Sequence, residues 1–224
     1  MSDAKDKPDE LSADTTVPKA VVSRLSLYLR ELQRLTREGE ETTSSTQLGR
    51  LLGFTDAQVR KDLAYFGQFG YPGIGYRCHE LIHAIKQILG TNQPWPLALV
   101  GLGNLGRALT NYKGFGSQGF QLCAAFDIDP TKVGQTIDGI PIFHHDDIAR
   151  IVKEKNIRLA IVAVPATAAQ GVADALVAAG IEGILNFAPV TLGLPKEIHT
   201  VGVDLAIELE QLSFAVVSRQ AKNG

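Results

Sequence analysis

The stretch Leu97–Leu109 (LALVGLGNLGRAL) constrains the fold of this chain more than any other part of it. It reads as an apolar strand, a G-x-G-x-x-G turn and a helix start, in that order. Each glycine has its own task in such a turn. Gly101 permits the tight reversal, Gly103 lets backbone approach a pyrophosphate, and Gly106 lets the helix pack close to the strand. Free N–H groups at the helix start, with the helix dipole behind them, then face the phosphates. Gly101, Leu102, Gly103, Asn104, Leu105 and Gly106 are therefore the candidate phosphate cradle. A second apolar run, Phe120 to Phe126, ends in Asp127, 21 residues beyond Gly106. A carboxylate there can accept both ribose hydroxyls of NAD, and it would repel the 2′-phosphate of NADP. The alternative is a tight strand-to-helix turn that holds no ligand.

From residue 97 onward strands and helices alternate. Strands are predicted at 97–101, 120–127, 141–144, 158–164 and 183–187, and helices at 104–111, 146–155 and 167–179. Near-continuous apolar strands, Leu159 to Val164 for instance, belong to a parallel sheet covered on both faces. The expected class is α/β, with a Rossmann-like parallel sheet over 91–203. In such sheets the ligand crevice lies at the carboxyl ends of the strands. That brings in Val164 and Pro165, and also Asn186-Phe187-Ala188-Pro189. Both segments read equally well as ordinary loop starts.

The first 90 residues follow another rhythm. Residues 1–17 carry 2 Lys against 5 Asp/Glu and almost no large apolar residue, the composition of a disordered tail. Residues 18–90 carry 10 Lys/Arg against 7 Asp/Glu, an excess that matters for nucleic acid only if it gathers on one face. Val21, Val22, Leu25, Tyr28, Leu29, Leu32 and Leu35 recur at helical spacing, so 18–37 is an amphipathic helix closed by Gly39. Leu48, Leu51 and Leu52 mark a short helix stopped by Gly53. Thr55 and Gln58 then have the spacing of a capping box. They open a helix with Val59, Leu63 and Phe66 on its inner face. Gln58, Lys61 and Tyr65 project from the other side, with Arg60 on the flank. Helix, glycine turn and helix with a polar outer face make a helix-turn-helix. The run Gly67–Arg77, rich in glycine and aromatics, suits a short hairpin, the wing of a winged helix. The candidate DNA contacts are thus Gln58, Arg60, Lys61, Tyr65 and, on the wing, Tyr71. A small helical cap or dimerisation domain would show much of the same pattern. A fourth helix carries Leu81, Ile82, Ile85, Ile88 and Leu89 and ends at Gly90, which gives a domain over 18–90. Thr91–Pro96 reads as a linker.

At the other end Leu205, Leu209, Leu212 and Val216 form a helical stripe, and Ile207 and Phe214 add apolar surface elsewhere on the same helix. Such a helix wants more than one partner surface, its own sheet or a second subunit. No apolar run nears the ~20 residues of a membrane span. Residues 1–17 lack the apolar core of a secretory signal. Cys78 and Cys123, without C-x-x-C spacing, suit a reducing cytoplasm. No metal-ligand set and no catalytic residue is assigned.

Together these segments resemble the Rex family of redox-sensing transcriptional repressors, from about Pro18 to Val217. The resemblance is carried by Ser23-Arg24-Leu25 through Tyr28-Leu29-Arg30, by Gln58 to Gly67, by Gly73-Ile74-Gly75-Tyr76 and by Val100 to Gly106. It continues in Tyr112 with Gly114-Phe115-Gly116, in Phe126 to Pro130 and in Ile184 to Pro189. It implies a homodimer with winged-helix DNA-binding domains, Rossmann domains that sense the NADH/NAD⁺ balance, and a C-terminal helix, 204–224, exchanged between subunits. It also implies repression from operator DNA and release when NADH binds. A dimer should prefer a two-fold symmetric operator. Arg24, Asp204 and Tyr112 match positions of a relay in that family. Arg24 and Asp204 would pair across subunits in one state, and Tyr112 would compete for Asp204 in the other. The stripe beginning at Leu205 would supply an apolar wall to the nicotinamide. Two other readings compete. An NAD-dependent dehydrogenase with a helical accessory domain needs a proton donor beside the nicotinamide, and His144, His145 and His199 lie in no recognisable catalytic motif. A CoA- or nucleotide-binding scaffold would share the Rossmann module, but Asp127 is placed for free ribose hydroxyls. The expectation is a DNA-binding sensor, not an enzyme, with NADH and NAD⁺ as its ligands and no membrane partner.

Overall fold

The computed structural model describes residues 17–223. The disorder expected of residues 1–17 falls, Val17 apart, outside the described residues. The chain divides into two compact units between Asn92 and Gln93.

In the first unit helix α1 (Lys19–Arg37) buries Val21, Leu25, Tyr28, Leu29, Leu32 and Leu35 along one stripe. It ends through Gly39, whose φ of 90° only glycine adopts without strain. Helix α2 (Ser45–Leu52) is capped by the Ser44 hydroxyl, which accepts from the Gln47 N–H, and is stopped by left-handed Gly53. Helix α3 (Asp56–Ala64) is capped by Thr55, whose hydroxyl accepts from the Gln58 N–H at 3.1 Å. Only half of the expected capping box forms, because the Gln58 side chain turns instead to Asp62. Helix α4 (Cys78–Ile88) completes the core with Leu81 and Ile85.

The wing departs from the expected hairpin. Strand β2 (Tyr76–Arg77) pairs antiparallel with β1 (Thr42–Thr43), which precedes α2, and within Gly67–Arg77 only a Tyr71–Gly75 bridge forms. Gly75 explains the choice. Its φ is 86°, and a side chain there would strike the Thr43 carbonyl. The backbone of one strand lies directly against the other at a position only glycine permits.

The second unit carries a seven-stranded sheet in the order β5-β6-β4-β3-β7-β8-β9, where β3 is Trp95–Val100, β4 Phe120–Asp127, β5 Thr136–Ile137, β6 Ile140–His144, β7 Leu159–Val162, β8 Gly183–Asn186 and β9 His199–Gly202. Only β5 is antiparallel to its neighbour. The six parallel strands, counted along the chain, stand in the order 3-2-1-4-5-6 of a dinucleotide-binding sheet, whose direction of winding reverses between β3 and β7. Trp95 and Pro96 open β3 and are not linker. Alternate residues of β3 serve opposite faces. Ala98 and Val100 pack with α7 (Ile148–Glu154) and α8 (Ala166–Ala178), while Leu97 and Leu99 join Leu102, Ala125, Ile142 and Ile161. Helices α5 (Asn104–Thr110) and α6 (Gly114–Ser117) follow the glycine turn; α6, β5 and β9 were not among the predicted elements.

Helix α9 (Leu205–Asn223) begins under Asp204, whose carboxylate accepts from the Ala206 N–H. It leaves Leu205, Ile207, Leu209, Leu212, Phe214, Val216 and Val217 between 51% and 75% exposed. Of the two surfaces open to it, its own sheet does not cover this stripe.

Candidate functional site

The crevice forms where the sheet reverses. Gly101 has a φ of 95°, and a Cβ on it would lie 2.5 Å from the Ala163 carbonyl oxygen at the end of β7. A Cβ on Gly106 would fall on the Gly101 carbonyl, so α5 leaves the strand as closely as backbone allows. A Cβ on Gly103 would meet nothing within 4 Å, which leaves open space beside its backbone. The three glycines thus divide the work as the motif requires. Asn104 and Leu105 follow at the exposed helix start. Leu102 behaves differently. Its side chain is buried in the core and its N–H donates to the Asp127 carboxylate at 2.9 Å, so Leu102 fixes the loop from behind.

Asp127, at the tip of β4, is nearly buried. One oxygen accepts from the Leu102 N–H and from Lys132 Nζ at 3.0 Å; the other accepts from the Asp129 N–H at 2.9 Å. Burial works against its charge, but the hydrogen bonds from Asp129, Lys132 and Leu102 outweigh burial and hold its pKa below the ordinary carboxylate range. Apart from Asp127 and His145 the side chains that line the crevice are apolar. Val164, Pro165 and Ala168 line it from the segment after β7, and Ile128, 74% exposed, from the end of β4. Asn186, by contrast, is spent on its own loop: its amide donates to the Ala188 and Val190 carbonyls and accepts from the Ala188 N–H. A second cavity lies beyond it, between that loop and Val203, Asp204 and Ile207 at the start of α9. His145 lines the crevice with its Nδ1 3.7 Å from an Asp146 oxygen, and among the described residues no cluster of His, Cys, Asp or Glu suits a metal.

The first unit presents α3. Its outward face carries Arg60, Lys61 and Tyr65, all exposed. Arg60 is tied to Asp56 at 2.8 Å and to the Ser45 hydroxyl at 3.2 Å. Among the described residues Lys61 has no side-chain hydrogen bond or ion pair. Tyr71 is drawn back to the body of the unit: its hydroxyl donates to Glu80, and the Arg77 guanidinium lies 4.8 Å over its ring.

Behind this face sits a residue that the sequence pattern did not single out. Asp62 is completely buried and accepts four hydrogen bonds, from Arg24 Nε (2.5 Å) and Nη2 (2.8 Å), from the Tyr28 hydroxyl (2.8 Å) and from the Gln58 amide (2.7 Å). Burial opposes the charge, and these donors overcome it and lower the pKa. The signal was present, because Asp62 lies one turn after Gln58, and Arg24 and Tyr28 are also one turn apart. The Arg24 guanidinium is engaged by Asp62 of its own unit through Nε and Nη2, and among the described residues its Nη1 makes no hydrogen bond. Tyr112, 54% exposed, stacks edge-on to Phe115, and Asp204 caps α9.

Known proteins match both units. A family model described as "Putative DNA-binding protein N-terminus" matches residues 16–64, and one described as "CoA binding domain" matches residues 92–190. The redox-sensing transcriptional repressor Rex of Pelotomaculum thermopropionicum is 45% identical over 208 residues, 93% of this chain and 98% of its own. The chain belongs to the Rex family of redox-sensing transcriptional repressors. Solved structures agree. The Rex-family repressor RSP, in complex with β-NAD⁺ and operator DNA, superposes with a TM-score of 0.86 at 34% identity, covering 94% of this chain and 97% of the other. RSP in complex with β-NADH gives 0.82 at 32% identity, covering 94% and 99%. Family membership sets aside the dehydrogenase reading, since these relatives are regulators of transcription. The match to a CoA-binding domain restates the shared Rossmann module. Among the described residues no helix is long and apolar enough to cross a membrane.

Proposed function

We propose that this chain is a cytoplasmic repressor that binds two-fold symmetric operator DNA as a homodimer and releases it when NADH occupies the crevice. The observation that carries the reading is the presence, in one chain, of a winged helix with a free cation on its outward face and a 3-2-1-4-5-6 sheet with its glycine loop at the reversal point. In the crevice the pyrophosphate lies along Gly101, Gly103, Asn104 and Leu105, and Gly106 keeps the helix close. The adenine slides between Ile128 and the Val164–Pro165 wall, with its ribose toward Asp127. On the DNA side α3 enters the major groove. Lys61 and Arg60 supply phosphate charge, while Gln58 and Tyr65 lie on the same helix and Tyr71 on the wing.

The dimer follows from α9. Burying its seven exposed apolar side chains is worth on the order of 10 kcal/mol before the costs of association. A second copy supplies that cover by exchange of the helix. The exchanged helix also explains how the ligand is sensed. A ligand with equal affinity for two states shifts neither. NADH and NAD⁺ differ by a positive charge on the nicotinamide ring, and the apolar stripe from Leu205 penalises a buried charge without a partner. Asp204 and Tyr112 are the polar groups of this switch. Arg24, which keeps guanidinium hydrogens beyond its pair with Asp62, meets Asp204 of the second copy in one state, and Tyr112 competes for Asp204 in the other.

The test is fluorescence anisotropy on a labelled duplex selected from a random pool. NAD⁺ should leave binding intact, and NADH should weaken it by roughly 5- to 150-fold, the span of ordinary coupling energies. Equal binding in both would refute the proposal.

A further inference from the structure

The ribose acceptor of the crevice is already occupied. A carboxylate offers about four acceptor positions, and three of those on Asp127 are taken by the Leu102 N–H, the Asp129 N–H and Lys132 Nζ. A ribose diol brings two O–H donors, and one position remains. Two of the present donors are backbone groups, one in the glycine loop and one in the turn after β4, and neither leaves without moving its segment. Lys132 is the exception. It is a flexible side chain on the turn Asp129–Gln135, partly exposed, and its ammonium has a second carboxylate within reach in Asp129, at 3.5 Å.

We propose that Lys132 competes with the adenosine ribose for Asp127 and thereby sets how sharply the crevice separates NAD(H) from NADP(H). This rests on the reading of Asp127 as the ribose acceptor. When the diol docks, Lys132 gives up Asp127 and falls back on Asp129. Its charge stays beside the ribose. A bare Asp127 would repel a 2′-phosphate strongly; an ammonium at the same place offsets part of that repulsion. The lysine therefore weakens NADH and helps NADPH, and its removal moves the two affinities in opposite directions.

The experiment is calorimetric titration of the full-length Lys132→Met protein, which keeps the side-chain stem and loses the charge. NADH should bind about 2- to 5-fold more tightly and NADPH about 2- to 5-fold more weakly, the size of a partly exposed ion pair. Lys132→Arg should restore wild-type values for both. If NADH weakens in Lys132→Met, the lysine serves the dinucleotide directly and the proposal is overturned; so it is if the NADH-to-NADPH preference stays unchanged. Asp127→Ala separates the two levels of the argument. If that variant binds NADH as the wild type does, the ribose assignment of Asp127 fails, and the role of Lys132 fails with it. If Asp127→Ala weakens NADH while Lys132→Met alters nothing, only the role of Lys132 fails.

Discussion

Replacing Asp62 with alanine should loosen helix α3 more than any single change on its surface. The carboxylate is completely buried and accepts from three side chains on two helices. Its loss leaves the Tyr28 hydroxyl buried without an acceptor and the Arg24 guanidinium without its ion partner. Breaking one half of a buried pair costs about 3–5 kcal/mol. The Arg24 side chain retains 21% of its exposure and recovers some hydration, so the expected loss is about 2–4 kcal/mol. At 1.4 kcal/mol per decade, a loss of ~3 kcal/mol raises the population of the opened state about 100-fold. Native-state hydrogen exchange on the intact protein reads this directly. Amides of α1 and α3, Leu29 and Leu63 for example, should lose roughly two decades of protection, while those of β3 and β4 keep theirs. The double change Arg24→Leu with Asp62→Leu should be milder than Asp62→Leu alone, because it leaves no unpaired charge. A loss of protection below about fivefold in Asp62→Ala, ~1 kcal/mol, would refute the reasoning.

Acid should act through the same residue. The Asp62 pKa is lowered in the folded state, so its contribution is complete above the ordinary carboxylate value and disappears as pH falls through that value toward the folded one; α1–α3 protection should hold from neutrality to about pH 5 and fall below about pH 4. Lys61→Ala should weaken all duplexes alike and reduce the slope of log affinity against log salt by about 1, measured by anisotropy at several salt concentrations. Deleting the chain beyond Asp204 should convert the dimer to a monomer in analytical ultracentrifugation; a dimer that survives would remove α9 from the interface.

What the sequence revealed and what it hid have physical reasons. The turn Val100–Gly106 was legible because each glycine answers a local demand: a left-handed φ, an approach of backbone, a helix packed against its own strand. The long helices were legible from the stripes they bury. The pairing of Thr42–Thr43 with Tyr76–Arg77 was not, since two-residue strands have no period and their partner lies across two helices. Arg24 and Asp62 escaped for a different reason. The match to the family relay gave Arg24 a partner in another subunit and drew attention away from the carboxylate within its own unit. Asp127 was placed correctly at the strand end, but the side chain that competes for it, Lys132, sits on an irregular turn where spacing carries no signal.

The central claim is that DNA and NADH are linked through one two-state molecule. Linkage requires reciprocity: the factor by which NADH weakens DNA binding must equal the factor by which DNA weakens NADH binding. The decisive measurement is the NADH dissociation constant of the dimer, free and saturated with its duplex. The account predicts a ratio within the roughly 5- to 150-fold range and equal to that found in the converse titration. NADH binding with one affinity to both forms would contradict it.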